Sequence, residues 1–154
     1  MPRVATADQQ WLPLALFRFF LLFGRQQWAD SHQLYHNPAS PFVANFIGEG
    51  VLICGQADGS DWADSPLGPL RVANPRGYSG PVRLLLRPDD VRLSEQGQIE
   101  AEVSKRAFRG AEYLYSLRLA SGETLLSLMP SHHRIEIGSP CRLQLCQEPL
   151  PLFP

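Results

Sequence analysis

The chain has 154 residues, with 14 Lys and Arg against 15 Asp and Glu and a formal net charge of −1. That balance excludes recognition by phosphate neutralisation, which needs a cationic surplus, so no nucleic acid partner is expected. A hydrophobic share of 44% with 14 prolines describes a globular, loop-rich chain. Its length allows one ordinary domain, or two small β units sharing a core.

The first element in chain order is the apolar run Trp11 to Phe23, WLPLALFRFFLLF. It is too short to span a bilayer and carries Arg18, and no small-x-small cleavage site follows it. It reads as a buried or interfacial helix, with no direct membrane insertion. Ser31 to Gly48, SHQLYHNPASPFVANFIG, predicts two short helical turns. Ser31 is placed to cap the first and Asn37-Pro38 ends it. Ser40 caps the second with Pro41 at its first position, and Phe42, Val43, Phe46 and Ile47 share one face.

After Gly48 the period changes to two. Val51 to Gln56 and Leu70 to Ala73 read as strands, with Gly59 to Gly68 and Asn74 to Gly80 as loops. From Pro81 the chain is a series of short strands. Val82, Leu84 and Leu86 share a face, as do Ile99, Ala101 and Val103; Tyr113, Tyr115, Leu117 and Leu119 form a third such set. Glu123 to Pro130 and Cys141 to Cys146 follow, punctuated by Gly97, Gly110, Gly122 and Gly138. This spacing predicts a mainly β fold, an all-β sandwich or small β-barrel preceded by short N-terminal helices. The strands between Gly80 and Gln147 are expected to close that barrel around Leu84, Leu86, Val103, Leu117, Leu119 and Leu143. No internal repeat is convincing in the sequence.

Three segments, QLYHNPASPFVANFIGEG (Gln33 to Gly50), LLLRPDDVRL (Leu84 to Leu93) and AFRGAEYLYSLRL through PSHH to Leu145, occur in one order. Together they resemble the C-terminal region of ATPase subunits of ABC importers, most closely the ferric-iron type. The resemblance implies that residues 1–47 are the end of, or linker from, a nucleotide-binding domain. It likewise implies that residues 48–154 are a transport-associated OB domain, known as TOBE. It implies a non-catalytic accessory role in dimer contact or ATPase regulation, as a homodimer or with ATPase and inner-membrane permease subunits. The location implied is cytoplasmic, peripheral to the inner membrane. No phosphate-cradling G-x-x-x-x-G-K-[ST] loop is present, so this chain alone is expected not to bind or hydrolyse ATP and to use no cofactor. Where the family carries its motifs before Gly24, this chain reads ATADQQWLPLALFRFFLLFG, which by family analogy points to a truncated or frame-disturbed gene. Exposed apolar residues in 1–47 are then expected to drive self-association. A free-standing OB-type module for a small ligand or oxyanion is the alternative.

The candidate site is Arg87-Pro88-Asp89-Asp90. Proline ends the strand because it has no N–H for a ladder. The carboxylates are suited to accept backbone N–H groups in the turn, and Arg87 is suited to reach a carboxylate, as a dimer or regulatory contact. Paired Asp without a third ligand gives no metal site. His32 and His36 lack the rest of a zinc motif, His132 and His133 sit in a loop, and Asp58, Asp61 and Asp64 lack a calcium loop's glycine and glutamate. Phe108, Tyr113 and Tyr115 read as core packing and not as a base-stacking platform. Cys54, Cys141 and Cys146 fit no zinc spacing and read as small buried hydrophobes in a reducing compartment.

Overall fold

The computed structural model describes residues 31–146 and 148–154; the Trp11 to Phe23 run lies outside them. Two short helices, α1 (Ser31–His36) and α2 (Pro41–Ile47), precede ten strands. These are β1 (Val51–Asp58), β2 (Trp62–Asp64), β3 (Leu70–Ala73), β4 (Ser79–Leu86), β5 (Val91–Leu93), β6 (Ile99–Phe108), β7 (Glu112–Leu119), β8 (Thr124–Pro130), β9 (Pro140–Leu145) and β10 (Leu150–Phe153). Among the described residues no helix is long and apolar enough to cross a membrane.

The fold is mainly β, as the alternation requires, but of the strands between Gly80 and Gln147 only β4 belongs to the closed barrel. A closed five-stranded barrel has the order β1-β2-β3-β10-β4, and a second five-stranded sheet has the order β5-β9-β6-β7-β8. In the barrel β1 pairs antiparallel with β2 and β4, and β10 closes the gap, parallel to β3 and antiparallel to β4. The second sheet repeats this plan. There β6 pairs with β7 and β9, β7 pairs with β8, and β5 lies against β9. Strand β5 also lies beside β8, where Ser127 Oγ donates to Val91 O at 2.5 Å and Leu128 N to Pro88 O at 3.2 Å.

Each half therefore lends its last strand to the other. The first four strands are completed by β10, and β6 to β9 are flanked by β5. The duplication lies in topology, which is why no repeat is legible in residues. Three strands escape the sequence pattern, the three-residue β5 after the Arg87 to Asp90 turn and two more. Strand β2 is three residues long, with only Ala63 turned inward, and β10 carries Pro151, which ordinarily argues against a strand.

One core runs through both units. Ile53, Val72, Leu84, Leu86 and Leu150 belong to the same buried cluster as Val103, Tyr115, Leu117, Leu125 and Leu143. All six leucine and valine positions expected inside are buried. The β7–β8 turn is tight because Gly122 takes φ +99°, a conformation that side chains with a Cβ rarely adopt.

Helix α2 starts as its sequence dictates, with Ser40 Oγ accepting from Val43 N at 3.3 Å and Pro41 in the first turn. Its inward residues, however, are Val43 and Ala44, while Phe42 and Phe46 are each 47% exposed. Ala44 packs on Leu85 and Phe153, a second small cluster that seats the helix on the barrel wall. The cysteines also differ from expectation. Cys54 and Cys146 are exposed and only Cys141 is half-buried, because the pleat turns Ile53 inward and its neighbour Cys54 outward.

Because the core is shared, Leu150→Ala, a fully buried position on the lent strand, should cost about 2–5 kcal/mol. Urea unfolding should stay a single transition, with tryptophan fluorescence and far-UV circular dichroism coinciding. Two separated transitions would mean the halves fold independently.

Candidate functional site

The Arg87 to Asp90 stretch is the crossover from the barrel to the second sheet. Its placement differs from an exposed turn, since Arg87, Pro88 and Asp90 are buried and only Asp89 faces solvent. Arg87 is 2% exposed, among the largest fully buried side chains. A buried cation needs compensating acceptors, and here they are carbonyls of its own chain. Nε donates to Tyr35 O at 3.1 Å, and Nη1 donates to Gly48 O at 2.8 Å and Glu49 O at 2.9 Å. The guanidinium carbon also lies 4.4 Å from the centre of the Tyr35 ring, within cation–π range. Arg87 thus reaches backbone carbonyls where the sequence suggests a carboxylate partner.

The carboxylates have separate tasks. Asp90 Oδ2 accepts from Arg87 N at 2.7 Å while Asp90 N donates to Arg87 O at 3.0 Å, closing the turn on itself. Asp89 Oδ1 accepts from the Tyr35 hydroxyl at 2.9 Å. Burial, then the hydrogen bond to Asp89, pushes the Tyr35 phenol well above its ordinary range. Burial likewise raises Asp90 above the usual carboxylate range.

The linker fits tightly around this group. A Cβ added at Gly50 would lie 3.0 Å from Arg87 Nη1 and 3.0 Å from Leu85 Cδ1, so glycine is what lets the chain pass there. Next to it Glu49 receives both Nη1 and Nη2 of Arg109 at 2.6 and 2.7 Å. That exposed pair ties the β6–β7 hairpin to the same linker. Both crossovers meet here as well, since Cys146 N donates to Asp90 O at 2.8 Å.

His36 completes a group sequence reasoning missed. One ligand atom each from His36, Asp89 and Asp90 lies within 4.8 Å of the others. The signal was absent from the sequence because about fifty residues separate His36 from the two aspartates. The chemistry is poor for a cation, since one oxygen of each carboxylate is already engaged and the Arg87 guanidinium adjoins them.

The other sequence candidates are dispersed. Asp58 Oδ1 accepts from Ser60 N and Oγ in an ordinary turn. The rings of His32 and His36 are tilted against each other with centres 4.5 Å apart, as are those of His132 and His133. Tyr115 is core, its hydroxyl donating to His133 O and accepting from Ile135 N, both at 3.1 Å. It pins the loop after β8, and Arg106 Nη1 donates to Ile135 O at 2.7 Å beside it. Phe108 is 67% exposed and rests on Tyr113, ring centres 5.3 Å apart.

That pinned loop borders a groove of about 1480 Å³, which also involves the end of β5, the β7–β8 turn and parts of β6 and β9. Leu93, Ala101, Leu119, Met129 and Cys141 line its apolar part. Arg118 and Arg142 at its rim face Glu102 at 3.0 Å and Glu100 at 3.9 Å.

Residues 84–153 match the family model described as the TOBE domain. The chain is 33% identical over 95 aligned positions to the Fe(3+) ions import ATP-binding protein FbpC 2 of Pectobacterium atrosepticum, covering 58% of this chain and 27% of that one. It is 31% identical over 140 positions to the putrescine transport ATP-binding protein PotG of Escherichia coli, covering 79% and 37%. The chain thus spans about a quarter to just over a third of the length of these relatives. Among solved structures, the cytoplasmic molybdate-binding protein ModG superposes with a TM-score of 0.56 at 12% identity, over 67% of this chain and 94% of that one. At that identity the likeness is one of fold.

Two expectations follow from the geometry. Hydrogen bonds to a charged group each contribute roughly 1.5–3 kcal/mol, so Arg87→Met, losing three, should destabilise the chain by at least ~3 kcal/mol in urea unfolding. Arg109→Ala removes an exposed, salt-screened pair and should have a much smaller effect that shrinks further at high salt. The second concerns pH. Because the folded state raises the Asp90 value, its stabilising contribution is complete below the unfolded pKa of about 3.9 and is lost as pH rises through the folded value. Asp90→Asn keeps an acceptor and cannot ionise, so its stability relative to the parent should rise from pH 4 to pH 7. A flat difference across that range would show the carboxyl titrating alike in both states.

Proposed function

We propose that this chain, whose residues 84–153 match the TOBE domain model, is a non-catalytic accessory domain of an ABC importer ATPase, acting in dimer contact or regulation of transport. Residues 1–47 serve as the connection to the ATPase side and residues 48–154 as the regulatory β domain. The partners in this reading are a second copy, the ATPase subunits and the inner-membrane permease, and the place of action is the cytoplasmic face of that membrane. Relatives are named for both ferric iron and putrescine, so the reading commits to import and favours the ferric-iron type.

The observation that carries it is the mounting of the helices. Three carbonyls of α1 and the α2–β1 linker are held by one buried guanidinium at the point where both crossovers meet. A regulatory domain needs this, because association or strain felt by the β units must reach the helical connection without slack. Titrating the purified chain into an importer ATPase of the same organism, with ATP turnover and light scattering as readouts, tests the reading. We expect association with a change in turnover, and no turnover or saturable ATP heat from the chain alone. ATPase activity left unchanged, with no mixed species by light scattering, would refute it.

A second reading, a free small-ligand or oxyanion module, is supported by the groove of about 1480 Å³ with arginines at its rim. Micromolar molybdate binding by calorimetry, without any effect on the ATPase, would favour that reading over the first.

A further inference from the structure

The loop between β8 and β9 holds an apolar side chain out in water. Ile137 is 58% exposed, and among the described large hydrophobic residues only Phe108 is more so. The loop is fastened on both sides of it. Tyr115 and Arg106 hold His133 and Ile135, Gly138 N donates to Val103 O at 2.7 Å, and Val103 N donates to Ser139 O at 3.0 Å. Ile137 is therefore presented in a fixed place, which lowers the entropy cost of docking it. Its near neighbours Ile135 and Pro140 line the groove of the second sheet, so an apolar knob and an apolar hollow lie side by side on one surface.

Size and charge select what fills the hollow. At about 1480 Å³ the groove exceeds the roughly 300–1,000 Å³ usual for small-ligand pockets. Its rim carries Arg118, Arg134 and Arg142 with Glu95, Glu100 and Glu102. Each arginine already has a glutamate beside it: Glu102 lies 3.0 Å from Arg118, Glu136 3.0 Å from Arg134 and Glu100 3.9 Å from Arg142. No cationic surplus is left there for an anion or a polyanion. A partner of either single sign would meet half of the rim in repulsion, which disfavours association. A surface bearing both signs in equal number is suited to its own copy, because in a two-fold pair residue i of one copy meets residue j of the other and the reverse. The same symmetry brings each knob to the other copy's hollow.

We infer that the groove is the docking site for a second copy of this chain. In the two-fold pair, Ile137 of each copy enters the apolar floor of the other, and the arginines and glutamates of the two rims exchange partners. The pairing deepens the dimer contact of the proposed function and rests on that reading for its role in transport. Its existence is a property of the chain alone, and is measured without an ATPase.

Sedimentation equilibrium of the full chain tests it. A monomer–dimer equilibrium is expected. Ile137→Asp, at an exposed position, should weaken it by at least about tenfold with the far-UV circular dichroism unchanged. Two rim variants test the charges. Arg118→Glu with Arg142→Glu, and Glu100→Arg with Glu102→Arg, should each be monomeric alone and should pair when mixed in equal amounts. A parent chain that stays monomeric up to roughly 1 mM overturns the inference. So does an association that Ile137→Asp leaves unchanged, because the contact then lies elsewhere, as in residues 1–47. A mixture of the two folded rim variants that gains no mass overturns it as well. Dimers that behave as expected while importer ATP turnover stays unaltered would count against the importer reading alone.

Discussion

A guanidinium held away from water is the constraint around which the molecule is arranged. Arg87 cannot shed its charge, so folding must bring acceptors to it, and the acceptors are three carbonyls from the helical segment and its linker. Much follows from that demand. Gly50 keeps space open for the side chain, Tyr35 stacks on its face, and Asp89 holds the Tyr35 hydroxyl. Remove the cation and the linker has little reason to lie where it does, since α2 contributes only Val43 and Ala44 to buried surface.

The second organising fact is the exchange of strands. By sending β5 into one sheet and returning β10 to the other, the chain makes neither half complete alone. Closing the barrel with β10 removes free edges, which otherwise invite aggregation. The exchange also forces two crossovers through one waist, and Arg87 occupies that waist. A strand swap and a buried cation at its crossing make a compact way to fasten two β units and a helical segment into one body with a shared core.

This arrangement bears on function through stiffness. Helices attached only by exposed pairs such as Arg109 with Glu49 would move freely against the β units, since surface pairs contribute little. Charge-assisted bonds inside the protein do not yield so easily. A helical segment mounted this way is held firmly to the β units. The groove bordered by the Tyr115-pinned loop is a separate feature on the far sheet, with its own apolar floor and balanced rim.

Local pattern alone determined the β class, the Ser40 cap, the Gly122 turn and the inward leucines, because alternation and turn chemistry act over a few residues. Motif order pointed to the TOBE resemblance and to Arg87-Pro88-Asp89-Asp90 as the stretch worth watching. Tertiary structure alone decided what that stretch does. Whether Arg87 meets a carboxylate or a set of carbonyls depends on where residues 35, 48 and 49 arrive, and no local rule carries that information. The same holds for His36 joining two aspartates, for Pro151 sitting within a strand, and for the cysteines that face outward. Strand exchange was invisible for a related reason: alternation reports which face a residue takes, and it is silent on which sheet supplies the neighbour.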